Sequence, residues 1–263
     1  MSKRSVLGVM IDDVDASTAV TQIIEAAHAR RGYSVSALAV HGVMTGVDDD
    51  DHRYRLNALD LLVADGQPVR WALNWLYSVG LRERVYGPKL MLDACQAAAD
   101  ASLPIYLYGS SPETVAALRA ALTQRFPGLT VAGAEPSCFA KKTESEMDEV
   151  AARVRGTGAR LCFVGLGCPR QEVFVYENAD RFGMPVIAVG AAFDYHAGLL
   201  TEPPLWVQKS GVQWLYRLCQ DPVRLWRRYV LLNPRYVLAL LIQRFGFSRV
   251  PTECTKPGWV GWA

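Results

Sequence analysis

The sequence has no long apolar run, no paired-cysteine framework and no low-complexity tract, and each absence removes a class of protein. Its best apolar stretch, Tyr236 to Ile242, is flanked by Arg235 and Arg244 and falls well short of the roughly 18 residues that span a bilayer. Integral insertion is not expected. The six cysteines, at 95, 138, 162, 168, 219 and 254, include no CxxC pair, and several sit in apolar runs such as Leu161-Cys162-Phe163-Val164. They read as reduced core thiols of a cytosolic protein. The start, Met1-Ser2-Lys3-Arg4 and a short apolar run broken by Asp12-Asp13, lacks the features of a secretory signal. His28, His41 and His52 fall at no metal-ligand spacing.

Charge of one sign is also scarce, but unevenly so. The net charge is +2, while residues 201–263 hold nine Lys/Arg and three Asp/Glu, a local +6 that leaves the body at −4. A mildly acidic body argues against a nucleic-acid partner. What is present is enough to bury a substantial core: 263 residues, 51% hydrophobic and 21% charged, giving one large or two small domains.

Short β-branched runs alternate with helical patterns as far as about residue 200. Strands are predicted at Val6–Ile11, Ser34–Val40, Leu61–Ala64, Ile105–Tyr108, Leu129–Ala132, Leu161–Val164 and Val186–Val189. Helices are predicted at Ser17–Arg30, Lys89–Ala101, Pro112–Arg125 and Glu144–Arg155, with Ser17, Ser111 and Thr143 as caps. Such alternation predicts an α/β fold, a largely parallel Rossmann-like sheet with helices on both faces. After Leu200, Trp, Arg, Tyr and Leu recur at helical intervals, with Pro204, Pro222 and Pro234 as breaks, predicting three short helices. The division expected is a core of residues 1–202, a basic and aromatic helical appendage of 203–250, and a tail of 251–263. The acidic run Asp48–Asp51 reads as a solvated helix start.

Four small-residue turns follow predicted strands: Asp65-Gly66, Gly109-Ser110-Ser111, Gly165-Leu166-Gly167 and Gly190. In a parallel sheet they share the carboxyl edge, where helix N-termini point free N–H groups into a ligand crevice. Asp65 could take a proton from a hydroxyl or merely cap the helix starting near Pro68. The run Gly165-Leu166-Gly167-Cys168-Pro169-Arg170-Gln171-Glu172 reads as a ligand-facing helix start. It is only a partial dinucleotide fingerprint, since Arg170 stands where the last glycine belongs. In Val189-Gly190-Ala191-Ala192-Phe193-Asp194-Tyr195-His196, Asp194 suits loop backbone or a substrate hydroxyl, and His196 a hydrogen-bonded packing role. The aromatic and arginine residues between Trp206 and Arg235 suit an anionic lipid interface or interdomain packing.

Four ordered motifs together resemble the WecG/TagA/CpsF glycosyltransferases from about Val6 to Tyr236. They are Ala64-Asp65-Gly66-Gln67-Pro68, Arg84-Val85-Tyr86-Gly87-Pro88, the run Gly165 to Glu172, and Val189 to Asp194 leading into Gly211-Val212-Gln213-Trp214-Leu215-Tyr216-Arg217-Leu218. The resemblance implies an inverting enzyme with no cofactor or metal, using a nucleotide-sugar donor such as a UDP-hexose and a polyprenyl diphosphate-linked saccharide acceptor, peripheral on the inner face of the cell membrane. It implies Asp65 as base and a donor site of Gly66, Gln67, Arg84, Gly109, Ser110, Gly165, Gly167, Pro169, Gln171, Glu172, Gly190 and Asp194. It further implies Arg217, Arg224, Arg227 and Arg228 at the lipid diphosphate. Three positions depart from the family pattern: Lys89, Glu202-Pro203-Pro204 and Ala39-Val40-His41, where His41 takes part of a polar role on the acceptor side. The tail Asp221 to Tyr229 looks most like the exopolysaccharide branch. A homo-oligomer is compatible with these features. The rival readings are a nucleotide-cofactor oxidoreductase built on Gly165-Leu166-Gly167 and a non-catalytic membrane-associated scaffold.

Overall fold

In the computed structural model, residues 2–247 and 250–263 are described. The chain opens with β1 (Lys3–Val6), β2 (Val9–Asp12), α1 (Ala16–His28), β3 (Tyr33–Leu38), α2 (Val40–Asp48), α3 (Asp50–Ala58), β4 (Leu61–Ala64) and α4 (Gln67–Tyr77). It continues through α5 (Gly87–Asp100), β5 (Ile105–Gly109), α6 (Pro112–Arg125), β6 (Val131–Glu135), α7 (Glu144–Gly156), β7 (Leu161–Gly165), α8 (Arg170–Phe182), β8 (Pro185–Ala188) and α9 (Ala192–His196). Then follow α10 (Leu205–Ser210), α11 (Gln213–Gln220), α12 (Pro222–Trp226), a π-helical turn at Arg227–Leu231, and α13 (Leu232–Arg244).

Six strands form one sheet in the order β4-β3-β8-β7-β5-β6, and every pairing is parallel. Strands buried on both faces read as continuous apolar runs, which is why Leu61–Ala64, Ile105–Tyr108 and Leu161–Val164 were visible without a periodic signal. One core cluster packs α2, α3, α4, α7, α8 and α13 on one face, and a second packs α1, α5, α6 and α9 on the other. The fold is α/β and Rossmann-like, as the alternation predicted.

The first predicted strand is corrected. Val6–Ile11 is interrupted by Leu7 and Gly8, at φ 52° and 84°, so the segment folds back as the antiparallel hairpin β1–β2 outside the main sheet. The hairpin covers the β4 edge: the buried Asp12 carboxylate accepts from the Leu62 N–H at 2.8 Å. Burial raises the Asp12 pKa, partly offset by that bond. The strand predicted at Leu129–Ala132 starts two residues later, because Leu129 closes the turn after α6 through its N–H to Phe126. Asp15, not Ser17, caps α1, accepting from the Thr18 N–H. Ser111 and Thr143 cap α6 and α7 as predicted, Thr143 in a reciprocal capping box with Glu146. Asp49 caps α3, with Asp50 and Asp51 in its first turn.

Among the described residues beyond Leu200 there are four helices and a π turn rather than three helices. Pro204 and Pro222 fall at helix starts, but Pro234 lies inside α13. The π turn just before it widens the spiral where the proline's missing N–H and bulky ring would break a regular helix. No helix among the described residues is long and apolar enough to cross a membrane.

Helix α8, which carries Gln171, is seated by Phe174, fully buried and stacked on Tyr108 of β5 with ring centroids 4.8 Å apart. Phe174→Ala should lower unfolding free energy by about 3–5 kcal/mol, the usual cost of emptying an aromatic core site. Urea denaturation would check this, and a shift below about 1 kcal/mol would mean that α8 is held by other contacts.

Candidate active site

The turns after β4, β3, β8 and β7 open onto a single cavity of about 880 Å³ at the carboxyl edge of the sheet. In an open parallel sheet this is where the loops diverge and ligands bind. Asp65 follows β4 directly, its N–H donating to Leu38 O of the neighbouring strand. Its Oδ1 accepts from the Gly87 N–H at 2.9 Å, at the start of α5. Asp65 does not cap α4, whose N-cap is Gly66 with no side-chain bond; the Asp65 carboxylate serves the first N–H of α5. The carboxylate is steered instead toward the cavity, across from the segment Arg84–Gly87.

That segment is tied to the sheet by Val85 N–H to Ala64 O. Arg84 stacks over the Tyr86 ring at 4.2 Å and donates to Gln213 Oε1 at 2.6 Å, joining the core to α11. Gln213 also donates to the Tyr86 hydroxyl, at 3.0 Å. Burial, reinforced by Tyr195 and Asp65, pushes the Tyr86 phenol far up, so it is a neutral hydroxyl, here accepting from Gln213. Arg217, on the next turn of α11, faces Tyr195 at 5.9 Å. Burial opposes its charge, but Tyr195, Tyr229, Tyr86 and Asp65 outweigh that loss and raise its pKa. A permanent cation and the Asp65 carboxylate thus act on each other across one cavity.

On the β7–β8 side, Gly165, Gly167 and Gly190 line the wall, with Gln171 and Glu172 in the first turn of α8. The Gln171 amide lies against Gly190, where an added Cβ would sit 3.4 Å from it. Gln171 Nε2 donates to Glu172 Oε1 at 2.8 Å, and Ser36 Oγ donates to the same oxygen at 3.2 Å. Glu172 is fully buried and its pKa raised by that burial, so it sits at the floor as a support for Gln171. Gly66, Gln67, Ser110, Asp194, His41 and Arg227 also line the cavity.

Two predicted residues do not reach the wall. Gly109 lies beneath it, at φ 104°, where a Cβ would press on Leu166 at 2.9 Å and on the Gly165 backbone. Pro169 occupies the N-cap of α8 and is not among the residues that line the cavity. The side chains of Arg224 and Arg228 lie outside the described residues. Of the departures, Lys89 is exposed and paired with Asp93, and Glu202 lines a separate hollow with His196 and Arg125. His196 bonds Pro88 O at 2.9 Å, a packing role. Sequence reasoning passed over Tyr86, Tyr195, Gln213 and Trp214 as individual site residues, although each stands inside a motif it singled out. Tyr229 likewise closes the tail pattern it named, whereas Phe139 carried no such signal.

The sequence Asp13-Val14-Asp15, two carboxylates at a spacing that can hold a metal, lines no part of the cavity, and Asp15 caps α1. Among the described residues, one grouping could offer three metal ligands: His52, Cys168 and Glu172, with ligand atoms within 4.8 Å of one another. Chain spacing did not reveal it, since the three come from α3, the β7–α8 turn and α8. The Glu172 carboxyl is already engaged by Ser36 and Gln171.

A parallel sheet whose carboxyl edge holds a carboxylate, glycine-lined turns and a helix start beside the half-buried Arg84 and Arg217 defines a Rossmann-like ligand-handling enzyme. The chain belongs to the glycosyl transferase WecG/TagA/CpsF family, whose pattern matches residues 4–250, and it is a glycosyltransferase. It is 28% identical over 187 residues, 71% of this chain and 70% of the other, to the N-acetylglucosaminyldiphosphoundecaprenol N-acetyl-beta-D-mannosaminyltransferase of Bacillus spizizenii strain W23.

His52 supplies a pH signature. Burial lowers its pKa from 6.5 to about 4, so the folded protein keeps it neutral. Its contribution to stability is full above pH 6.5 and is lost as pH falls toward 4, because the unfolded chain binds the proton first. His52→Gln should remove that part of the acid sensitivity, narrowing the stability difference from the parent as pH drops from 7 to 4.5. Denaturation at both pH values checks it, and a pH-independent difference would contradict it.

Proposed function

We propose that the chain is an inverting glycosyltransferase that moves a hexose or N-acetylhexosamine-type sugar from a nucleotide diphosphate donor, of the UDP-sugar class, onto a polyprenyl diphosphate-linked saccharide. A role in exopolysaccharide or other cell-surface polysaccharide synthesis follows from the resemblance of the tail. The observation that carries the reading is the juxtaposition of Asp65 with Arg217 and the start of α8 in one cavity. The acceptor class is supported by the printed name of the Bacillus spizizenii relative.

In this mechanism Asp65 takes the proton of the acceptor hydroxyl, which attacks the anomeric carbon from the face opposite the departing diphosphate. One displacement inverts the centre, and no covalent enzyme intermediate forms. The hydrogen bond from Gly87 N–H fixes the carboxylate's direction, which counts because a general base must meet its proton within hydrogen-bond reach. Negative charge on the leaving diphosphate is met by the positive end of α8 and by Arg84 on the cavity wall, while Arg217 and Arg227 of the appendage face the acceptor's diphosphate. No metal is required on the diphosphate in this scheme, and Gln171, propped by Glu172, orients the donor.

We further propose that residues 203–250 act as the acceptor-side appendage, resting on a membrane surface at its inner face, with residues 251–263 as a separate tail. Support comes from exposed apolar side chains beside cations: Trp206 is 70% exposed, Leu205 71% and Val223 87%, with Lys209 and Arg227 nearby in sequence. Apolar groups in water beside positive charge suit an anionic lipid interface.

Asp65→Asn should cut turnover by around two to four powers of ten while leaving donor binding in place, since an amide cannot take the proton. Transfer to a synthetic prenyl diphosphate acceptor measures it; near-parental turnover would remove Asp65 from the role. Dialysis against EDTA should leave turnover unchanged. A loss restored by added magnesium would instead put a cation on the diphosphate.

A further inference from the structure

The family match stops at residue 250, yet the thirteen residues beyond it are bound closely to the core. Arg55 donates to Gly258 O at 2.9 Å, and the N–H groups of Val260 and Gly261 donate to the Glu177 carboxylate of α8 at 2.8 and 3.0 Å. From there the segment runs along the loop between β6 and α7. Trp259 Nε1 donates to Lys142 O, Lys142 N–H to Gly261 O, and Ala263 N–H to Ala140 O, with a bridge pairing Lys141 and Trp262. At Gly261, φ is 73° and an added Cβ would fall 2.0 Å from Lys142 O, so only glycine permits this approach.

The consequence falls on Phe139. Ser137 Oγ donates to Ala263 O and accepts from the Phe139 N–H at 2.8 Å, a relay from the tail to that residue's backbone. Phe139 sits at φ 50°, a left-handed conformation that a bulky side chain keeps only when its surroundings hold it there. Arg170 lies between two rings, 4.6 Å from Trp262 and 5.8 Å from Phe139. The result is an aromatic ring 41% exposed and lining the cavity, with a planar cation behind it.

We infer that residues 251–263 are a clamp that presents Phe139 as the stacking platform for the donor's nucleobase. The inference rests on the nucleotide-sugar reading above. Its placement follows from strand order. Asp65 follows β4 at one edge of the sheet, the α8 start follows β7, and Phe139 follows β6 at the other edge, about 24 Å from β4 at roughly 4.8 Å per strand. A donor with its sugar at Asp65 and its diphosphate at the α8 start carries its base toward β5 and β6. There Ser110 and Phe139 line the cavity, and Ser137 N–H donates to Ser110 O, joining the two loops. The appendage meets the Asp65 side, where Gln67 Nε2 donates to Gln208 O and Arg84 to Gln213 Oε1, so the acceptor is assigned to that side.

Isothermal titration of the full chain with UDP and GDP, each compared with inorganic pyrophosphate, separates base stacking from phosphate binding. Phe139→Ala should weaken the bound nucleotide about tenfold, the usual scale for one stacked base, and leave pyrophosphate unchanged. Phe139→Tyr should stay near the parent, while Gly261→Ala and Trp262→Ala should reproduce the nucleotide-only loss. Unchanged nucleotide affinity in Phe139→Ala, or a parallel fall for pyrophosphate, overturns the platform. Parental affinity in both Gly261→Ala and Trp262→Ala overturns the clamp. A parent that binds neither nucleotide sinks the donor assignment itself, and the platform with it.

Discussion

Everything at the site depends on six strands running the same way. A parallel sheet puts every strand-to-helix turn on one edge, and its register here sets Ala64 beside Leu38 and Ala188 beside Ser36 and Val164. The residues that follow those strand ends, Asp65, Gly165 and Gly190, therefore open onto one space although they are far apart in the chain. Had the hairpin β1–β2 entered the sheet, it would have added an antiparallel strand beyond β4, where Asp12 instead covers the edge by accepting from Leu62 N–H.

Around that space, burial sets protonation with little help from ion pairs. Burial raises the pKa of Glu172 and of Tyr86, whose side chains serve as hydrogen-bonding supports, while Arg217 stays charged against its burial, with the Asp65 carboxylate across the cavity. A cavity with fixed cations on its wall suits the development of negative charge on a leaving group. Charge met by preoriented groups needs no reorganisation during reaction.

Much of the fold was legible in the sequence because buried parallel strands are continuous apolar runs and helix caps are local, as at Ser111 and Thr143. The segment Val40–Ala58 was not, since α2 contains Gly42 and Gly46 and α3 buries His52, Arg53 and Arg55 in place of an apolar stripe. Arg53 reaches Gly46 O and Arg55 reaches Gly258 O, contacts that no periodicity reveals. The site was legible wherever a turn follows a strand, and it failed where residues sit just behind that turn, as with Gly109. Phe139 was illegible for a different reason: its position is fixed by Ala263, 126 residues along the chain from Ser137.

The central claim is that one carboxylate and one helix start share a single donor. Crystallographic density for a nucleotide diphosphate bound to the protein tests it most directly. The account requires the diphosphate to lie over the first turn of α8, beside Gln171, with its terminal phosphate directed toward Asp65. A diphosphate held on the far side of the sheet, or seated so that its terminal phosphate points away from Asp65, would contradict it.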